Sequence, residues 1–238
     1  MSQAGLGLAD LQAVLFDFDG TLVYQVIDFA EMRRRVVELA AAAGIDIARH
    51  QTRYTLEFME RAYGELLARD RERAEAFLSS AQQAIIDVEV EAARQSYVFP
   101  GASELLRDLR SSGVKVGIVT RNCRVAVEAI LARDPLEYDI LLTRDDVARV
   151  KPDPEHLLVA MRALGASPER LLMVGDHPMD VQAGHAVGAW TIGILNDGRP
   201  ADYFAEARPD AVLPSVAEIP AHLAAHPLPG SISPAAGA

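Results

Sequence analysis

Residues 13–21 of the chain read AVLFDFDGT, an apolar, strand-forming run that ends in two carboxylates and a turn. Asp17 and Asp19 are two positions apart, so in extended backbone their side chains project to the same side. A carboxylate at the end of a buried strand is costly to desolvate, and two adjacent carboxylates repel each other. The pair therefore indicates a site for a cation or a shared proton, or else an Asx-type turn that caps backbone amides.

The composition is typical of a globular protein with an acidic surface. The chain has 238 residues, of which 50% are hydrophobic, and a formal net charge of -11. This charge argues against a nucleic-acid or membrane partner but allows a small anionic substrate. Cys123 is the only cysteine, which excludes an intrachain disulfide and fits a reducing compartment. With neither a signal-peptide pattern nor an apolar run of about 20 residues, we expect a soluble, cytoplasmic protein and leave its oligomeric state open.

Short apolar runs alternate with helical patterns on both sides of a long helical block. Strands are predicted at 13–16, 114–119, 138–142, 171–174, 190–194 and 211–213. This rhythm predicts an α/β fold with a doubly wound, mainly parallel sheet. A helix is predicted from about residue 29 to 43, ended by Gly44, and residues 49–94 keep helical periodicity. We therefore predict an α/β core domain of residues 10–23 and 98–226, an inserted all-helical cap domain of residues 24–97, and disordered tails at 1–9 and 227–238.

Polar residues follow several predicted strands directly. Asp17, Thr120 and Asp176 each come after an apolar run, and ligands of doubly wound sheets bind outside the carboxyl ends of the strands. Asp180 lies close to one helical turn after Asp176. Lys151 is one of only two lysines in a chain rich in arginine. It is either a surface residue or a compact charge required at the site.

These residue types together suit one chemistry. Clustered carboxylates favour a hard divalent cation such as Mg²⁺. A carboxylate nucleophile, a second carboxyl as acid and base, a hydroxyl and a lysine have the properties needed to attack, protonate and hold a phosphoryl group. Phosphoryl transfer depends mainly on positioning and charge neutralisation. The residue set therefore points to Mg²⁺-dependent phosphoryl transfer.

Four segments, in order, resemble the motifs of the haloacid dehalogenase-like superfamily. They are DFDGT (17–21), Thr120, KPDP (151–154) and GDHPMD (175–180). The resemblance implies a Rossmann-like core. The position of the helical block resembles the small cap of the branch that contains phosphoglycolate phosphatase and β-phosphoglucomutase. Segments expected to act as a hinge for this cap lie at about 23–27 and 98–101.

The resemblance also implies roles for individual residues. Asp17 would attack phosphorus and become an aspartyl phosphate, while Asp19 would protonate the leaving oxygen and then activate water. Thr120 and Lys151 would hold the phosphoryl oxygens, and Lys151 would restrain Asp17. Mg²⁺ would be bound by Asp17, Asp176, Asp180 and the backbone carbonyl of Asp19.

We expect an Mg²⁺-dependent phosphatase that acts on small phosphate monoesters. Asp19 argues against a dehalogenase, which typically lacks an acid at that position, and residues 23–100 contain no lysine for a phosphonoacetaldehyde-type Schiff base. A sugar-phosphate mutase and a non-catalytic sensor of phosphorylated ligands remain as alternatives. The cap arginines are expected on solvated helix faces, where any one of them could select the substrate: Arg33, Arg34, Arg35, Arg53 and Arg61.

Two residues depart from the family pattern. His177 stands where a small residue is common, and either its ring faces the phosphate or only its backbone amide matters. Arg121 follows the phosphate-binding Thr120 and either binds a substrate carboxylate or phosphate, or pairs with an acid of the cap. Together with the segment after Gly20, the sequence Thr120-Arg121-Asn122 resembles a poorly characterised branch of phosphatase-like proteins.

Overall fold

The computed structural model describes residues 7–196 and 198–228. In chain order, the strands are β1 (Ala13–Phe16), β2 (Val23–Tyr24), β3 (Tyr97–Val98), β4 (Lys115–Val119), β5 (Ile140–Leu142), β6 (Leu171–Gly175), β7 (Trp190–Ile194) and β8 (Ala211–Leu213). The helices are α1 (Phe29–Ala42), α2 (Thr55–Leu67), α3 (Arg71–Ala93), α4 (Ala102–Ser111), α5 (Arg124–Arg133), α6 (Glu155–Leu164), α7 (Pro178–Val187) and α8 (Ile219–Ala225).

Six of these strands form a parallel sheet in the order β5-β4-β1-β6-β7-β8. Val14 on β1 lies opposite Val116 on β4 and Leu172 on β6. All four residues of β1 are buried, as expected for a central strand that is covered on both faces. This topology confirms the predicted doubly wound α/β fold.

Helices cover the sheet with apolar side chains. On one face, Ala13 and Leu15 of β1 share a core with Leu157 of α6 and Ala183 of α7. Because successive strand residues point to opposite faces, the buried Val14 and Phe16 face the other side. A strand without polar positions is therefore explained by apolar contacts on both of its faces.

Contacts divide the chain into two compact units. One consists of Met1–Gln25 and Ser96–Ala238, and the other of Val26–Gln95. In the second unit, α1, α2 and α3 bury their own core, which includes Val36, Phe58, Ala62, Phe77 and Ile85. Asp28 caps α1 by accepting the N–H of Glu31 at 2.8 Å. A segment with its own helices and its own hydrophobic core has the properties of a separate domain.

A short antiparallel pair, β2 and β3, lies next to the second unit in sequence. Val23 pairs with Val98 and Tyr24 with Tyr97. The rings of Tyr24 and Tyr97 stack with their centroids 4.9 Å apart. These strands were not predicted from the sequence, because two residues each are too few to show an alternating pattern. They occupy part of the segments expected to act as a hinge.

Most of the two predicted tails lies outside the described residues. At the inner ends of these tails, where the structure does describe the chain, Leu8–Asp10 forms a turn of 3₁₀ helix and Leu228 is buried. Among the described helices, none combines the length and the apolar content needed to cross a membrane.

Candidate active site

Side chains from three neighbouring strands meet at the carboxyl edge of the sheet. Asp17 follows β1, Thr120 follows β4 and Asp176 follows β6, the strands on either side of β1. The backbone continues the ladder there, since the Asp17 N–H donates to the Val174 carbonyl at 2.9 Å. The structure thus brings together three residues that the sequence predicted to lie at strand ends.

Three buried carboxylates form a cluster at this edge. Asp17, Asp176 and Asp180 each offer an oxygen, and these oxygens lie within 4.8 Å of one another. The Lys151 Nζ lies 2.7 Å from Asp17 Oδ1 and 2.7 Å from Asp180 Oδ1. The Lys151 side chain is only 1% exposed. This carboxylate cluster therefore has more negative charge than the lysine neutralises.

Burial and neighbouring charges shift the pKa values of Asp17, Asp176 and Lys151. Burial raises the pKa of Asp17 to about 6, although Lys151 opposes the change. Burial, followed by the charge of Asp17, raises the pKa of Asp176 well above its ordinary range. Burial alone would lower the pKa of Lys151, but Asp17 and Asp180 outweigh it and the pKa is raised. The lysine thus stays charged, and the carboxylates require a proton or a cation.

The carboxylate cluster fits a divalent cation. All its ligand atoms are carboxylate oxygens, the donors that Mg²⁺ prefers. A cation would offset the burial and the mutual repulsion that raise the pKa values of Asp17 and Asp176. The Arg199 guanidinium donates to both the side chain and the backbone carbonyl of Asp176. It supplies part of the positive charge that this carboxylate needs.

Two glycines make room for the cluster. Gly20 has a φ of 80°, and a Cβ there would lie 2.7 Å from the Cγ of Asp176, well inside contact distance. A Cβ at Gly175, the last residue of β6, would overlap the side chain of Asp180. Any side chain at these two positions would displace a carboxylate of the cluster.

Asp19 belongs to a separate hydrogen-bond network beside the cluster. The Thr120 hydroxyl donates to Asp19 Oδ2 at 3.0 Å, and the Asn122 Nδ2 donates to Asp19 Oδ1 at 3.0 Å. No role was predicted for Asn122 from the sequence. Its only sequence signal is its position three residues after β4, which many loop asparagines share.

His177 and Arg121 both contact backbone atoms near the cluster. The His177 Nδ1 accepts the N–H of Met179 at 3.1 Å, and the His177 N–H donates to Asp180 Oδ2 at 3.0 Å. The His177 ring therefore caps α7. The Arg121 Nη1 donates to the backbone carbonyl of Lys151 at 3.0 Å. This bond connects the segment after β4 to the loop that carries the lysine. Both predicted roles of Arg121 stay predictions.

The cap arginines differ in their partners within the helical unit. Arg34 and Arg35 each form an ion pair with Glu31 at 2.7 Å. Arg33 instead lies over the ring of Phe58, with its Cζ 4.1 Å from the ring centroid. Burial lowers the pKa of Arg33.

Comparison with known proteins extends these observations. A family model described as haloacid dehalogenase-like hydrolase matches residues 11–188. The chain is 32% identical over 234 residues to phosphoglycolate phosphatase of Pseudomonas putida. This match covers 94% of this chain and 81% of that protein. It is 37% identical over 118 residues to pyrophosphatase PpaX of Bacillus cereus, a match covering 49% of this chain and 55% of that protein.

A solved structure described as that of a haloacid dehalogenase-like hydrolase, from Bacteroides fragilis, is also similar. It superposes with a TM-score of 0.64 at 25% identity, covering 87% of this chain and 99% of that one. The chain belongs to the haloacid dehalogenase-like hydrolases. The predicted family is confirmed, and so is the predicted class of enzyme, a hydrolase with phosphatases among its relatives.

Proposed function

We propose that the protein is an Mg²⁺-dependent phosphatase that hydrolyses small phosphate monoesters through an aspartyl phosphate on Asp17. The observation that carries this proposal is the position of Asp17, held 2.7 Å from the Lys151 ammonium beside two further buried carboxylates. Asp19 follows two residues later and accepts the Thr120 hydroxyl. A nucleophile, an acid and base, and two phosphate-binding groups are thus within one site.

In the first step, an oxygen of the Asp17 carboxylate attacks phosphorus and the bond to the ester oxygen breaks. The leaving oxygen takes a proton from the Asp19 carboxyl, so the alcohol leaves neutral. Lys151 and Thr120 hold the phosphoryl oxygens. For this, Thr120 exchanges its present acceptor, Asp19, for a phosphoryl oxygen.

In the second step, water attacks the phosphorus of the aspartyl phosphate. The Asp19 carboxylate takes a proton from this water, and Asp17 leaves as a carboxylate. The net reaction converts a monoester and water into an alcohol and inorganic phosphate.

Four groups would hold the Mg²⁺: the carboxylates of Asp17, Asp176 and Asp180 and the backbone carbonyl of Asp19. When bound, the ion neutralises charge on the cluster and on the phosphoryl group. The raised pKa values of Asp17 and Asp176 support this assignment, because burial and neighbouring carboxylates destabilise the charged forms of both groups and a cation would offset this.

The proposed substrate is a small soluble ester, with 2-phosphoglycolate as the first compound to test. The phosphoglycolate phosphatase of Pseudomonas putida, which matches along most of this chain, supports that choice. The proposed location is the cytoplasm, which the single cysteine supports.

The test measures phosphate release from a panel of 2-phosphoglycolate, pyrophosphate, sugar phosphates and nucleotides, with Mg²⁺ and with chelator. We expect release that requires Mg²⁺ and that falls by at least about 1,000-fold in Asp17→Asn, which removes the nucleophile but keeps its shape. Asp134→Asn, a matched change in an aspartate that pairs with Arg133 outside the site, should have full activity.

Two results would contradict the proposal. Full activity of Asp17→Asn would exclude the aspartyl phosphate. A folded wild-type protein that binds Mg²⁺ but releases no phosphate from any ester would favour a sugar-phosphate mutase or a sensor. An assay of sugar-phosphate isomerisation then distinguishes these two.

A further inference from the structure

Asn122 is a buried amide with several directed hydrogen bonds. It is 2% exposed, and its Oδ1 accepts the N–H of Cys123 at 2.8 Å. This bond fixes which way the amide faces. Its Nδ2 then donates to Asp19 Oδ1 at 3.0 Å and to Gln25 Oε1 at 3.1 Å. Both protons of the amide nitrogen therefore have acceptors, and the side chain has little freedom to rotate.

We infer that Asn122 is the positioning residue for Asp19, and that it keeps this carboxylate in place when Thr120 turns to the phosphoryl group. The inference rests on the proposed function, which makes Asp19 the acid and base. The evidence for the inference is that the two oxygens of Asp19 accept from different side chains: Oδ1 accepts from Asn122, and Oδ2 accepts from Thr120.

This division matters because the Thr120 hydroxyl has a single proton. In the structure the hydroxyl donates that proton to Asp19 Oδ2, while the Thr120 oxygen accepts the backbone N–H of Asn122 at 3.0 Å. When the hydroxyl donates to a phosphoryl oxygen instead, Oδ2 is released. The Asn122 amide still holds Oδ1, and Oδ2, no longer bonded to Thr120, exchanges a proton with the leaving oxygen and then with water.

Gln25 has a lesser part in this arrangement. Its Oε1 accepts the second proton of the Asn122 amide, and it follows directly after β2. The bond to Cys123 would still orient Asn122 without Gln25. Loss of the Gln25 side chain should therefore weaken the alignment of Asp19 only slightly.

The test compares two substrates that differ in their need for an acid. An alkyl phosphate has a poor leaving group, which must be protonated as the ester bond breaks, whereas p-nitrophenyl phosphate has a good one. The quantity measured is kcat/KM, which reports the steps up to cleavage of the ester bond. A merely structural defect would lower it for both esters by the same factor.

The main variant is Asn122→Ala, which removes both N–H donors without adding a charge beside Asp19. We expect kcat/KM for the alkyl ester to fall on the order of 100-fold, and that for p-nitrophenyl phosphate by less than about 5-fold. The loss for the alkyl ester should be mainly in kcat. Asp19→Asn should show the same selectivity to a greater extent, and Gln25→Ala should lose less than about 5-fold on either ester.

Asn122→Asp, which keeps the oxygen that accepts from Cys123 but places a second carboxylate beside Asp19, provides a second measurement if Asn122→Ala does not fold, and circular dichroism checks both. Equal losses on the two esters, or no loss on either, would overturn the inference. Failure of the proposed function looks different, because then the wild-type protein itself hydrolyses neither ester.

Discussion

At the residue scale, burial and the charge of Lys151 have opposite effects on the pKa of Asp17. The ammonium bonds both Asp17 and Asp180, so its charge is shared by two carboxylates. Burial therefore outweighs the adjacent lysine, and the pKa of Asp17 is raised. The charged form of Asp17 is therefore destabilised unless a cation binds beside it.

This has a measurable effect on stability. The pKa of Asp17 is about 6 in the folded protein, against 3.8 without burial. Its contribution to stability is thus fully present below pH 3.8 and is lost as the pH rises through 6. An asparagine does not titrate, so the stability of Asp17→Asn does not fall in this way as the pH rises. In chelator, we expect its free energy of unfolding, relative to wild type, to rise by about 1–3 kcal/mol between about pH 4 and pH 7.5.

Urea unfolding at several pH values provides the measurement. Asp134→Asn is the control, and its curve should run parallel to that of the wild type. If Asp17→Asn also ran parallel to wild type, the folded protein would not raise the pKa of Asp17.

Much of the site could be predicted at this scale, because a polar residue directly after an apolar strand is visible in the sequence. Asp17, Thr120 and Asp176 were found in this way. Asn122 and Arg199 were missed, since their side chains reach Asp19 and Asp176 only after distant segments pack together. Nothing local separates a buried asparagine from one in an exposed loop.

At the scale of elements, tight turns determine where the carboxylates lie. The turn after β1 depends on Gly20, whose φ of 80° and close approach to Asp176 both exclude a side chain. Gly113, in the turn before β4, has a φ of 85°, but a Cβ at that position would have no neighbour within 4 Å. The two glycines thus share a backbone conformation and differ in what surrounds them.

Replacing each of these glycines by alanine separates strain from displacement. Both variants should lose about 1–2 kcal/mol of stability from the left-handed conformation. Only Gly20→Ala displaces Asp176, so only it should weaken Mg²⁺ binding, by at least about 10-fold. Isothermal titration calorimetry measures the affinity, and equal affinities in the two variants would show that Gly20 does not position the carboxylate.

The elements themselves were predictable in proportion to their length and burial. The central strand β1 is apolar throughout, and it begins and ends at the predicted residues. The pair β2 and β3 was missed because pairing, rather than local pattern, creates strands of two residues. Its aromatic rings stack only once the two ends of the intervening segment meet.

At the scale of the molecule, the carboxylate cluster connects ligand binding to the stability of the α/β unit. A cation that binds the folded chain alone raises its stability, by about 2.7 kcal/mol at a concentration 100 times its Kd. We expect Mg²⁺ to raise the Tm of the wild-type protein. Asp176→Asn should lose this response, while Asp134→Asn should keep it.

Differential scanning calorimetry with and without Mg²⁺ makes the comparison. An unchanged Tm for the wild-type protein at millimolar Mg²⁺ would mean that the cluster does not bind this ion. A similar rise in Asp176→Asn would place the binding elsewhere.

The central position of β1 also affects how the protein is made. On the ribosome β1 emerges before the strands that pair with it, because Val14 pairs with Val116 and Leu172. The helical unit, Val26–Gln95, has its own core and can fold before the strands that pair with β1 have been synthesised. A nascent chain that stops before residue 171 can therefore complete neither the sheet nor the carboxylate cluster.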